Sequence, residues 1–300
     1  MKFDAKKIAI AACSVVILGS GWFTLQTLSN GQLLQPVPYA EAAIRPTPFM
    51  PVAASPDELI DKIIVISGLQ KQIEDIGNKL LETINQSPDK PKDPIIVMEI
   101  ERIVAESYKP EHFHQQLREA LKQDFDHSRM EILLQSLGTP LMKRIAEIEE
   151  REFDLKALGI FIEGVIQNPL PTNRLRLLQS LESVTYTAEF AIELTVGVSR
   201  ALLMGKVNSD TEAMTALDTK LNEQKKELAV TMYPAMILTM AYVYQELNDS
   251  ELDEYVQFYQ TEEGEWFITQ AVNALIEAFR VGSLQTGKRI AELTTAKKTK

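Results

Sequence analysis

The sequence predicts an all-α protein, a helical bundle built from two related multi-helix units after an N-terminal membrane segment. Three observations point there. The chain of 300 residues has 13 Gly and 7% aromatics beside abundant Leu, Ile, Ala, Glu and Lys, which favours helix over sandwiches and barrels. Apolar residues recur at steps of three and four, without period-two alternation. Pro, Ser, Thr and Asn stand at the starts of these periodic stretches, where helix caps belong.

The first element is the membrane segment. Lys2, Lys6 and Lys7 precede Ile8 to Leu28, 21 residues without a charge. A helix of that length spans a bilayer core, and the basic flank keeps the N-terminus in the cytoplasm. Residues 1–30 therefore read as a signal-anchor, single-pass in the inner membrane through residues 8–28, with the C-terminal domain in the periplasm. The alternative is a cleaved signal peptide and a soluble periplasmic protein, although Ala40-Glu41-Ala42 lies beyond a normal spacer. Ile10-Ala11-Ala12-Cys13 also resembles a lipobox, but few apolar residues precede Cys13. Cys13 is the single Cys, so the exported part has no thiol for a disulfide or a Cys-based zinc site. Residues 31–54, punctuated by Pro36, Pro38, Pro46, Pro48 and Pro51, read as a semi-rigid tether.

Residues 55–168 form the first predicted helical unit. Ser55-Pro56-Asp57-Glu58 is a capping box with Pro at the first helical position. Leu59, Ile63, Ile66, Leu69, Ile73, Ile76, Leu80 and Ile84 then draw one face of a single long helix. It stops before the turn cluster Ser87-Pro88-Asp89-Lys90-Pro91. Further helices are expected from Pro94 to about Tyr108 and from Pro110 along Phe113, Leu117, Leu121 and Phe125. A short one is expected from a Ser128/Glu131 capping box, and another from Thr139-Pro140 past Phe153 toward Gln167. Residues 169–296 form the second unit. It holds a long helix from Thr172 to about Lys206, a polar helix over 210–228, and an apolar helix started or kinked by Pro234. Asn248 or Ser250 caps a short helix, and a last helix follows Gly264.

The order of elements repeats. Ser128-Arg129-Met130-Glu131 and the stripe after it lie 122 positions before Ser250-Glu251-Leu252-Asp253, and Thr139 and Thr261 restart helices after them. This predicts an internal duplication. The stretch Asn248-Asp249-Ser250-Glu251-Leu252-Asp253-Glu254-Tyr255-Val256-Gln257-Phe258-Tyr259-Gln260-Thr261-Glu262-Glu263-Gly264-Glu265-Trp266-Phe267 resembles the bacterial envelope family catalogued as domain of unknown function 2059. That family carries an acidic short helix, a Phe-Tyr pair and a Ser-Pro-x-Gly step into another helix. Thr139-Pro140-Leu141-Met142 looks like the same step in the first half. Glu262 replaces the usual Pro in the second copy, and Met142 the usual Gly in the first. The first copy has Ser136 and Leu137 in place of the aromatic pair. The resemblance implies an exported, all-helical, Gram-negative protein, and it brings no catalytic residues.

Charge and motifs narrow the function. With 31 basic and 42 acidic residues the net charge is −11, which argues against nucleic-acid binding. His112, His114 and His127 lack the spacing of a metal site, so no metal, cofactor or catalytic residue is assigned. Glu147, Glu149, Glu150 and Glu152 beside Arg144 and Arg151 read as a solvated helix face. Ser128, Ser250, Thr139 and Thr261 read as caps, not nucleophiles. Phe258, Tyr259, Trp266 and Phe267 are candidates for corner packing or for contact with a partner. Met236, Met240 and Tyr242 are candidates for an apolar groove. The expected function is a membrane-tethered, non-catalytic periplasmic binding protein that contacts a protein partner or itself. A carrier or sensor of an apolar ligand is the first alternative, and an envelope hydrolase the second.

Overall fold

Ser55 opens the first helix of the computed structural model as its sequence requires: its Oγ accepts from Glu58 N, and Glu58 Oε2 accepts from Ser55 N at 3.0 Å. Such a box contributes about 1 kcal/mol. The structure describes residues 54–86, 93–151, 154–204 and 211–298. The predicted membrane segment, and the tether except for Ala54, lie outside them. Among the described residues no helix is long and apolar enough to cross a membrane, and every regular element is α-helical.

The helices are α1 Pro56–Ile66, α2 Leu69–Glu74, α3 Ile76–Gln86, α4 Pro94–Ser107, α5 Pro110–Gln123, α6 His127–Leu137 and α7 Pro140–Glu149. They continue with α8 Leu155–Gln167, α9 Thr172–Thr185, α10 Thr187–Met204, α11 Thr211–Val243, α12 Asp249–Gln260 and α13 Glu262–Lys298. The starts at Pro94, Pro110, Pro140 and Thr172 fall where the sequence places them. Thr139 Oγ1 accepts from Met142 N, and Asn248 with Glu251 makes a full capping box.

Several boundaries differ, each for a local reason. The expected single helix after Ser55 is three, because Gly68 turns the chain at φ 77° and Asp75 ends α2. The expected helix from Thr172 to Lys206 is two, divided at Tyr186, whose φ of 54° puts a non-glycine residue in the left-handed region. The cap of α6 is Asp126, not Ser128: its carboxylate accepts from Arg129 N at 2.7 Å. The helix from Pro140 stops at Glu149, and Asp154 caps α8 by accepting from Lys156 N and Ala157 N. Pro234 neither starts nor ends a helix and lies inside α11.

The last helix begins at Glu262, ahead of Gly264, because Thr261 is the cap and its Oγ1 accepts from Gly264 N at 3.0 Å. Gly264 is there for contact. A Cβ at this position would lie 2.9 Å from the Phe258 carbonyl carbon and closer still to its oxygen. The α12–α13 corner is therefore only as tight as a residue without a side chain allows.

Two large cores form, and each draws residues from both sides of position 168. The first joins Ile60, Ile63, Ile103, Phe113, Leu117 and Leu133 of the early helices to Leu194 of α10 and to Phe267, Leu275, Phe279 and Ile290 of α13. The second joins Ile145 and Ile148 of α7 to Leu178, Leu181, Met236, Met240, Tyr255 and Tyr259. Helix α13 runs against α10, α5 and α4. Tyr108 and Ser283 hydroxyls meet at 2.9 Å across 175 residues of chain.

Candidate functional site

A cavity of about 150 Å³ lies where the two cores meet. Helix α11 supplies Met236 and Met240, and the turn after it Tyr244. Helix α12 supplies Tyr255 and Tyr259, and α13 supplies Phe267, Ala271 and Leu275. Phe190 of α10 and Glu149, the last residue of α7, complete the inner wall. The half-buried polar residues Ser67, Gln72, Thr185 and Thr187 line it too.

Glu149 is the chemical centre of this wall. It follows Ile145 and Ile148 by four residues and one, so helical geometry carries it onto the apolar stripe of α7. Its Oε1 accepts from Tyr244 Oη at 2.6 Å and from Tyr255 Oη at 2.8 Å. Tyr255 and Tyr259, one helical turn apart, bring their hydroxyls within 3.4 Å. Tyr244 and Tyr255 rings meet edge to face at 5.9 Å, and the tilted rings of Tyr255 and Tyr259 lie 5.2 Å apart. Burial pushes the Glu149 carboxyl above its ordinary value, a shift that both tyrosine hydrogen bonds oppose and Glu150 reinforces. Burial, and then the charge on Glu149, hold the hydroxyls of Tyr244, Tyr255 and Tyr259 protonated as well.

The tyrosines are held in place by arginines behind them. Buried Arg174 on α9 donates from Nη1 to Leu247 O at 2.9 Å and from Nη2 to Tyr244 O. It also reaches Asp249 Oδ1 at 3.3 Å. Arg144 on α7 donates to Glu246 O at 2.8 Å and pairs with Glu251 at 2.6 Å. These fork-shaped donors bind carbonyls of the turn after α11, where Tyr244 O also accepts from Leu247 N at 3.0 Å. They fix the turn that aims Tyr244 at Glu149.

A stability test follows from the sign of the Glu149 shift. Its folded-state pKa is raised, so the folded protein holds a proton that the unfolded chain has already released. The stabilisation is fully present below the ordinary carboxyl value of 4.5 and is lost as pH rises through the raised folded value. Glu149→Gln keeps an acceptor for both tyrosines and removes the titration. Urea denaturation across that window should show wild type losing stability relative to Glu149→Gln as pH rises. A difference that stays flat with pH would contradict the buried acid.

The other residues singled out from the sequence divide. Met236 and Met240 line the cavity, whereas Tyr242 lies away from it. Tyr242 packs on Phe161 at 5.6 Å, in a small cluster with Leu158, Ile162 and Ala235. Tyr259 and Phe267 are buried at the cavity wall. Phe258 is half-buried against Tyr259, with ring centres 4.9 Å apart. Trp266 is half-buried under the Arg129 guanidinium at 4.8 Å. The four aromatics pack the α12–α13 corner.

The three His do not meet. His127 pairs with Glu131 at 3.3 Å, His112 is exposed, and His114 lines a shallow groove with Arg118 and Asp61. Among the described residues no three metal-capable side chains gather.

Glu149 corrects the reading of residues 147–152 as a wholly solvated face. The signal was its step of four from Ile145, which outweighs the charges beside it in sequence. Glu150, the next residue, does face outward and pairs with Lys71 at 2.8 Å. Compared with family models, with curated proteins and with solved structures, the chain shows no match in any of the three.

Proposed function

We propose that the chain is a non-catalytic binding protein of the bacterial cell envelope. It is held at the inner membrane by residues 8–28, with its helical body in the periplasm, and it takes a small, largely apolar ligand between its two cores. The cavity walled by Met236, Met240 and the tyrosines carries this reading. Helical proteins place ligands between helices, in apolar sites with a few convergent polar groups. A volume near 150 Å³ suits a molecule the size of benzene. That favours the carrier or sensor over docking to a protein partner as the main activity. The similarity of 248–267 to domain of unknown function 2059 supports an exported helical role. Thr139 and Thr261, each capping a helix after a short amphipathic one, support the duplication.

The ten methionines make the test specific. The full chain in detergent, labelled at its Met methyl groups, is titrated with water-soluble molecules of benzene size: an alcohol, an amine and a ketone. Met236 and Met240 methyl signals should move saturably, while Met130, buried in the other core, stays still. Signals that stay fixed through the whole set would reject the cavity as a binding site.

A further inference from the structure

We propose that the cavity selects a small organic monocation, an amine or quaternary ammonium with a benzene-sized apolar body, which pairs with the carboxylate of Glu149. The inference rests on the cavity reading above and names its ligand class.

The lining supplies one ionisable acid and no Lys, Arg or His. A buried carboxyl normally has a cation as partner or stays protonated. Glu149 has two tyrosine donors on one oxygen, an arrangement that stabilises a carboxylate, yet it lacks a countercharge within the site. A bound ammonium provides that charge. The other walls suit the same guest. Tyr and Phe ring faces attract cations, and Met thioethers are soft and polarisable. The net charge of −11 raises the local concentration of cations and repels carboxylate ligands. A neutral arene would fill the volume and leave Glu149 without a countercharge.

Binding is then an exchange of charges. The O–H bond of the Glu149 acid breaks, its proton goes to solvent, and the ammonium takes its place beside the carboxylate. No covalent bond to the ligand forms. Affinity must therefore increase with pH until Glu149 is ionised in the free protein. The titratable groups facing Glu149 are Tyr244 of the turn after α11 and Tyr255 and Tyr259 of α12, all held protonated, and its neighbour Glu150, already paired with Lys71 of α2. The residues of α9, α10 and α13 that line the cavity carry no titratable side chain.

The test uses the full chain in detergent, with benzylammonium and its neutral isostere benzyl alcohol as probes. Calorimetry and the Met236 and Met240 methyl shifts report binding together. Benzylammonium should bind about tenfold tighter than benzyl alcohol. Glu149→Gln should abolish that preference. A measurement on wild type alone guards against misfolding of the variant: calorimetry in two buffers of different protonation enthalpy. In mildly acidic solution it should show proton release with benzylammonium and none with benzyl alcohol. Equal affinities, a preference that survives in Glu149→Gln, or binding of benzylammonium without proton release would overturn the cation proposal and leave the cavity reading standing. Movement of neither Met signal with either probe would overturn both.

Discussion

Gly264→Ala will cost about 3 kcal/mol or more in chemical denaturation, the upper end for a small-to-large change. The added Cβ meets backbone, the Phe258 carbonyl and Tyr259 Cα at 3.0 Å, so no side chain can rotate away. Relief requires α12 and α13 to separate at the corner where Thr261 caps the last helix. That corner positions Tyr259 and Phe267 at the cavity, so Met236 and Met240 signals should broaden or shift in any variant that still folds. Gly159→Ala is the matching control. Nothing lies within 4 Å of a Cβ there, and a helical Gly replaced by Ala gains about 0.5–1 kcal/mol. Similar stabilities for the two variants would show that Gly264 is not held by contact.

The second large effect is expected at Arg174. Arg174→Ala should destabilise by about 3 kcal/mol, because the Tyr244 and Leu247 carbonyls lose a buried donor and Asp249 loses its partner. Arg174→Lys should recover little of this. One ammonium on a flexible stem cannot reproduce a planar fork that reaches two carbonyls at once. The variants also separate support from binding: the Tyr244 hydroxyl should leave Glu149 in both, although neither substitution touches the cavity wall. Full recovery of stability and Met240 shift in Arg174→Lys would contradict the forked grip. Urea denaturation with the labelled protein reads both quantities in one sample.

Much of the scaffold was legible because caps and helical periods are local. Ser55, Thr139 and Asn248 announce themselves within four residues, and the Phe113, Leu117 and Leu121 stripe is buried as its spacing requires. Helix breaks were not legible in the same way. At Gly68 and Tyr186 the apolar period continues across the break, since the segments on either side face the same cores. Gly68 carried a hint, because glycine tolerates positive φ; Tyr186 carried none.

The site was half legible. Met236 and Met240 were visible as a stripe, and Tyr259 and Phe267 as members of an aromatic corner. The partnership of Glu149 with Tyr244 spans 95 residues, and with Tyr255 it spans 106. No local pattern can announce contacts that only the packing of α7 against α11 and α12 creates. Tyr242, two residues from Tyr244, shows the limit from the other side: a step of two on a helix turns the side chain to a different neighbour.

The interleaving of the two cores sets the order in which the molecule can be completed. Chains emerge N-terminus first, and most multi-helix proteins fold unit by unit as they appear. Here Tyr108 and Phe113 wait for Phe279, which packs on both rings at 5.5 and 5.1 Å. Until α13 arrives, the early helices present an open apolar face to whatever surrounds them. The last helix thus acts as a clasp, and loss of the stretch from Phe279 to Ile290 would leave the first core unsealed while every helix that begins it is intact.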